Sequence, residues 1–205
     1  MRKSLWIILA VLLVAIGAPA AYADGVFTLG NNPQPNEQNI LFGSSQTGAT
    51  VFGSTNQTDT TVRFSSTTDV LMVASSGQAK VTAVDGLVND ITITIPGFAF
   101  GDFILNPFKP AVNGDLTVTV TMSDASVFTF GPYGSMNGNN FLTITTSGGE
   151  LISSVTIDSP GGFQDLRQPR ISAPAVSPVP EPSSLLLLGS GALGLMGVLR
   201  RKLVR

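Results

Sequence analysis

Residues 116–122 read LTVTVTM and residues 91–95 read ITITI. In both stretches aliphatic residues take every second position and threonines fill the gaps. An extended chain turns successive side chains to opposite faces, so each stretch has one oily face and one hydroxyl face. A helix would scatter the same residues around its axis. Working outward, residues 60–65, 70–74, 79–84, 127–130, 141–145, 151–157 and 167–172 carry β-branched or aromatic residues between Gly, Asn and Asp turns. An Asp85-Gly86 turn closes the segment 79–84. Further upstream, ILFGSSQT (40–47) echoes TVFGSTNQT (50–58) at a ten-residue offset, which suits two strands joined by a polar turn. About ten or eleven strands at this spacing predict an all-β domain, an antiparallel β-sandwich of jelly-roll type. A β-helix is the alternative, but the short repeat it needs is missing.

The two ends follow a different pattern. Arg2 and Lys3 precede an apolar stretch from Leu5 to Ile16, and Ala21 and Ala23 put small residues where a signal peptidase reads. The expected cut after Ala23 makes residues 1–23 a signal peptide, with an uncleaved anchor as the alternative. No cysteine follows, which excludes a lipoprotein. At the other end, residues 172–182 form a Pro-rich spacer on the order of 30 Å long, ending in Pro180, Glu181 and Pro182. An apolar run from Leu185 to Leu199 follows, then Arg200, Arg201 and Lys202. At ~1.5 Å per residue that run spans about 22 Å, short of the ~30 Å hydrocarbon core unless its flanks join in. Residues 183–205 thus read as a short transmembrane helix with a basic tail. Basic residues on the outer side of both apolar segments hold both ends of the precursor in the cytoplasm and place the chain between them outside.

This triplet, short helix and basic tail resemble the PEP-CTERM sorting signal of exported bacterial proteins. The resemblance implies recognition by an exosortase-type membrane protease, with cleavage near Pro180, Glu181 and Pro182. It also implies passage through the general secretion machinery and signal peptidase. The protein would stay at the inner membrane during processing and finish at the cell surface or outside the cell. The stretch NNFLTITTSGGELISSVTI with GFQDLRQPRIS also looks like the last strands of β-sandwich domains found ahead of such tails, which carry no activity to transfer residue by residue.

Between the signals, residues 24–171 form the expected β domain. All thirteen acidic residues lie between Asp24 and Glu181, against five basic ones, for a net charge of −8. A domain of that sign does not bind nucleic acid or anionic membranes by charge. There is no cysteine and no histidine. Stability therefore comes from core burial, without disulfides, and His-based catalysis and the usual zinc ligands are ruled out.

Three places are candidates for chemistry. In FAFGDFILNPFKP (98–110), Asp102 is either a ligand or catalytic carboxylate, or it satisfies backbone N–H groups at a bend, as Asn106 would. The latter is expected. GPYGSMNGNN (131–140) offers amide oxygens for calcium, with Asp158 or Asp165 nearby, or else is simply a turn. In GGFQDLRQPRIS (161–172), Asp165, Arg167 and Arg170 predict an ion pair on an edge strand interrupted by Pro169. Phe98, Phe100, Phe103, Phe108, Phe128, Phe130 and Phe141 read as core, and Tyr133 is the one tyrosine left after processing.

A glycosidase needs two paired carboxylates, and the sequence pairs Asp102, Asp115 or Glu150 with none. No catalytic residue, resident cofactor or metal ligand set is expected; calcium is the one ion the loop would admit. The reading is a non-enzymatic structural or adhesive protein of an exopolysaccharide or biofilm matrix. The alternative is a weak polysaccharide-binding module assisted by calcium.

Overall fold

The computed structural model describes residues 25–75, 79–147 and 149–172. The expected signal peptide, most of the spacer and the membrane tail lie outside them. Among the described residues every regular element is a strand. In chain order these are β1 (Gly25–Leu29), β2 (Glu37–Leu41), β3 (Gln46–Gly48), β4 (Thr50–Thr55) and β5 (Thr61–Ser65). Then come β6 (Leu71–Val73), β7 (Lys80–Ala83), β8 (Val88–Thr94), β9 (Asp102–Leu105) and β10 (Pro107–Pro110). β11 (Leu116–Met122), β12 (Val127–Tyr133), β13 (Leu142–Thr146), β14 (Ile152–Arg167) and β15 (Arg170–Ser172) complete the set. The count exceeds the expected ten or eleven because β3, β9 and β10 are too short to show a period, and β1 precedes the polar lead-in.

All pairings are antiparallel, and the curled sheet is sandwich-like. One layer runs β1-β13-β9-β15-β2, and the other begins β4-β5-β8-β14-β7-β6-β3. β2 joins them: Glu37, Gln38 and Asn39 pair β15, while Ile40 and Leu41 pair β4. β11 adds to the free side of the first half of β14, and β12 pairs β11.

The alternation anticipated for β8 and β11 is the rule across the second layer. Val51, Phe64, Ile93, Val155, Val120 and Phe128 are successive cross-strand partners from β4 to β12, and all but the half-buried Phe128 are fully buried. Phe100 and Phe103 are fully buried as expected, and so is Phe163; Phe108, Phe128, Phe130 and Phe141 are only half-buried, and Phe98 is 46% exposed. Each fully buried aliphatic or aromatic side chain contributes about 1.5–3 kcal/mol.

β14 differs from its expected form. It is interior, with β8 and β7 on one side and β11 and β10 on the other. It bends where pairing to β8 jumps from Asp158 to Phe163, across Pro160-Gly161-Gly162. The segment 167–172 is also not one strand. Gln168 at φ 49° and Pro169 break it, and β15 continues in the other layer.

β2 crosses close over β4 at Gly53. A Cβ there would lie 2.7 Å from Ile40 Cγ2 and 2.9 Å from the Leu41 carbonyl oxygen. Gly53→Ala should therefore lower stability by about 1–3 kcal/mol, read as a drop in urea midpoint at unchanged slope.

Candidate functional site

Ala21, Ala23, Pro180, Glu181, Pro182, Arg200, Arg201 and Lys202, the residues assigned to processing and sorting, lie outside the described residues. Within the β domain the structure sorts the three candidate regions differently from the sequence.

Asp102 starts β9 on the outer face of the first layer. β1 and β2 are the two edges of that layer, about 19 Å apart at ~4.8 Å per strand, and Gly30–Asn36 links them over its outer face. The link is fastened where Asn32 N donates to Thr143 Oγ1 at 3.0 Å and Thr143 Oγ1 donates to the Gly30 carbonyl at 2.9 Å. Arg170 reaches Asn31 Oδ1 and lies 3.7 Å from Glu37 Oε2. The pairing of β2, β15 and β9 puts Glu37, Ser172 and Asp102 in one row.

There Ser172 Oγ takes the backbone N–H groups of Gly101 and Asp102, at 2.7 and 3.0 Å. The serine hydroxyl thus does what the Asp102 carboxylate was expected to do. Asp102 Oδ1 and both Glu37 oxygens are buried without a hydrogen-bond partner. Burial, with the Glu37 charge beside it, pushes the Asp102 carboxyl up to about 7. Burial also raises Glu37, against the pull of the Gln34 backbone N–H and of Arg170. The acidic partner that the sequence does not show for Asp102 is thus Glu37, 65 positions away. Asn106 does behave as expected: its Oδ1 accepts Asn140 N at 2.8 Å, and its Nδ2 donates to Asn139 Oδ1 at 2.9 Å.

The 131–140 loop is tied together by Asn140. Its Nδ2 donates to the carbonyls of Pro107, Ser135 and Gly138, and its Oδ1 accepts Ser135 N at 2.6 Å. Asp158 lies opposite Asp90 on β8, and its carboxyl is raised by burial and by the Asp90 charge.

Asp165 is fully buried and paired as expected with Arg167, whose Nη2 lies 3.1 Å from Oδ2. Lys80 joins at 3.3 Å. The Arg167 guanidinium carbon stands 3.4 Å from the Phe108 ring centre, and Lys109 Nζ stands 5.3 Å from it. Arg170 is not part of this group, because the break at Pro169 carries it to Glu37. The ion pair is also not at an edge, since β7 and β10 flank β14 there.

One carboxylate site escaped the sequence reading. Asp90 is buried but accepts Ser66 Oγ at 2.6 Å, Thr67 N at 3.0 Å and Thr68 N at 3.0 Å, along with both threonine hydroxyls. Burial pushes its carboxyl up, yet these donors hold it down at about 2. The run of hydroxyl residues SSTTD at 65–69 was the available signal.

A half-open cleft of about 530 Å³ lies beside Asn31, Asn39, Asn56 and Arg170, and no carboxylate lines it.

Asp102 and Asp90 predict opposite pH dependences. For Asp102 the folded form holds its proton to higher pH than the unfolded chain, so stability falls as pH rises from about 4 through 7. Asp102→Asn should gain about 1–2 kcal/mol over wild type at pH 8, after allowance for screening, and little at pH 4. Asp90 stabilises the fold when charged, and that contribution is lost as pH falls from about 4 through 2. Asp90→Asn should cost about 1–2 kcal/mol at pH 7, shrinking in acid. Thermal unfolding across this range checks both.

Against known proteins, the PEP-CTERM protein-sorting motif matches residues 178–202. No curated protein and no solved structure matches the chain significantly. The match falls on the Pro180-Glu181-Pro182 triplet, apolar run and basic tail that carried the resemblance: the chain carries a PEP-CTERM protein-sorting motif.

Proposed function

We propose that this PEP-CTERM-bearing chain is a non-enzymatic component of the cell surface or of an extracellular polysaccharide matrix, with a structural or adhesive role. The observation that carries this reading is the sorting motif at 178–202, which directs a protein to the cell exterior with processing by a membrane protease. The β domain supplies the cargo. Its net charge of −7 over residues 24–171 keeps it soluble and repels nucleic acid.

The site geometry supports a role without catalysis. Asp165, Asp90 and Asp115 are each committed to internal partners, the last to Ser159 Oγ and Gly161 N at 2.7 Å each. Glu37 and Asp102 are buried and do not line the cleft beside Arg170. Retaining and inverting glycosidases both need two carboxyls facing a bound sugar.

The intact mass of the protein recovered from outside secreting cells tests the export route. It should lack residues 1–23 and everything beyond the Pro180-Glu181-Pro182 region. A Pro180→Ala/Glu181→Ala/Pro182→Ala variant should retain the tail and stay with the membrane fraction. Recovery of the unprocessed 205-residue chain from the cytosol would overturn the reading.

A further inference from the structure

The oily row from Val51 to Phe128 has a counterpart on the other side of the same strands. Thr50 pairs Ser65, Ser65 pairs Thr92, Thr92 pairs Thr156, Thr156 pairs Thr119 and Thr119 pairs Thr129. Paired residues project to the same face, so six hydroxyls form one row across β4, β5, β8, β14, β11 and β12. The row is about 24 Å long at ~4.8 Å per strand.

The row has three properties that together select a ligand class. First, its hydrogen-bonding capacity is largely unused. Thr92 and Thr156 share one bond at 2.9 Å, and Thr119 and Thr129 share one at 3.5 Å. Each couple uses one of its two donors, which leaves four of the six donors and most acceptor lone pairs for an outside partner.

Second, the row contains no charge, although residues 24–171 carry seventeen charged side chains. Solvent-facing strands that only need to stay soluble usually carry Lys or Glu. Charge flanks the row without entering it: exposed Arg63 stands beside Phe52 in the next row, and Asp90 and Asp158 stand in the row on the other side.

Third, apolar side chains stand at both ends of the next row: Phe52 is 44% exposed on β4 and Val127 is 58% exposed on β12. Phe52 is held in place, since the Gln46 carboxamide pairs with its backbone C=O and N–H at 2.7 and 2.8 Å. An extended polymer with many uncharged hydroxyls and apolar ring faces matches all three properties. Adjacent strands rotate by about 20–25°, so a rigid flat lattice loses contact within a few strands, whereas a flexible chain follows the row.

The geometry points to this face as a docking surface for an uncharged polysaccharide, its hydroxyls bonded along Thr129, Thr119, Thr156, Thr92, Ser65 and Thr50 and a sugar ring laid against Phe52. The inference rests on the matrix role proposed above and gives it a site. Individual contacts are weak and add along a polymer, so binding shows with chains rather than with monosaccharides.

Affinity electrophoresis of the full-length protein in mild non-ionic detergent tests it, with hydroxyethyl cellulose, dextran or galactomannan embedded in the gel and alginate as the charged control. Each variant is compared with its own mobility in polymer-free gel, which removes the effect of altered charge. At least one uncharged polymer should retard the wild type. Thr119→Lys/Thr156→Lys should weaken the apparent affinity roughly fivefold or more, by placing bulk and charge on the row. Thr92→Val/Thr156→Val keeps the strand shape and removes two hydroxyls, and it should weaken affinity less but measurably. Phe52→Ala should also weaken it, and unchanged urea midpoints show that the variants fold.

Equal retardation of wild type and row variants would overturn the site while leaving the matrix role standing. Retardation by alginate alone would also overturn it, in favour of the Lys80, Lys109 and Arg167 cluster. No retardation by any uncharged polymer would overturn it as well. The mass and location of the exported protein decide the matrix reading separately.

Discussion

Strand β14 is sixteen residues long and hydrogen-bonds to four other strands, and the register of the whole second layer is referred to it. Its side-chain period is two, so a slip of one position would turn Val155 and Ile157 to solvent and bury Thr156 and Asp158. That penalty locks β8 and β11 to it, and through them β5, β4 and β12. The bend at Pro160-Gly161-Gly162 lets one strand serve two sets of neighbours. Asp165 beyond the bend shows what continuity demands. It is carried into a fully buried position, and Lys80 and Arg167 are needed to hold its charge there.

Electrostatics divides the surface of the domain. The outer face of the first layer has Glu37, Asp102 and Arg170 beneath the Gly30–Asn36 link, with three carboxylate oxygens lacking a close hydrogen bond, one of them 3.7 Å from Arg170. The second layer, by contrast, shows hydroxyls over six strands. A pair of like charges shielded from water lowers stability at neutral pH, and each layer holds one: Glu37 with Asp102 in the first, Asp90 with Asp158 in the second. A six-strand row free of charge is unusual for an acidic domain, and an outside partner would explain it.

Much of the fold was legible in the sequence. The alternation in LTVTVTM and ITITI identified β11 and β8 and their buried faces, and Asn106 and Asp85-Gly86 behaved as turn chemistry requires. The short strands β3, β9 and β10 were not legible, because three or four residues hold too little period to distinguish from a loop. The interior place of β14 was hidden for another reason. Pro169 suggested an edge, and nothing local reveals that Asp165 is neutralised by a lysine 85 positions earlier. Asp102 was assigned to backbone N–H groups that Ser172 occupies instead, across a contact between segments 70 residues apart.

By itself the sequence determined the destination and the class of fold. The signals at residues 178–202 are read linearly by membrane and protease, and the period of two is a property of any extended chain. Tertiary structure alone decided which side chains meet. The alignment of Thr50, Ser65, Thr92, Thr156, Thr119 and Thr129, and the approach of Glu37 to Asp102, depend on which strands pair and in which register. That choice is made by burying the opposite, oily face, and its consequences on the outer face appear only once the sheet is assembled.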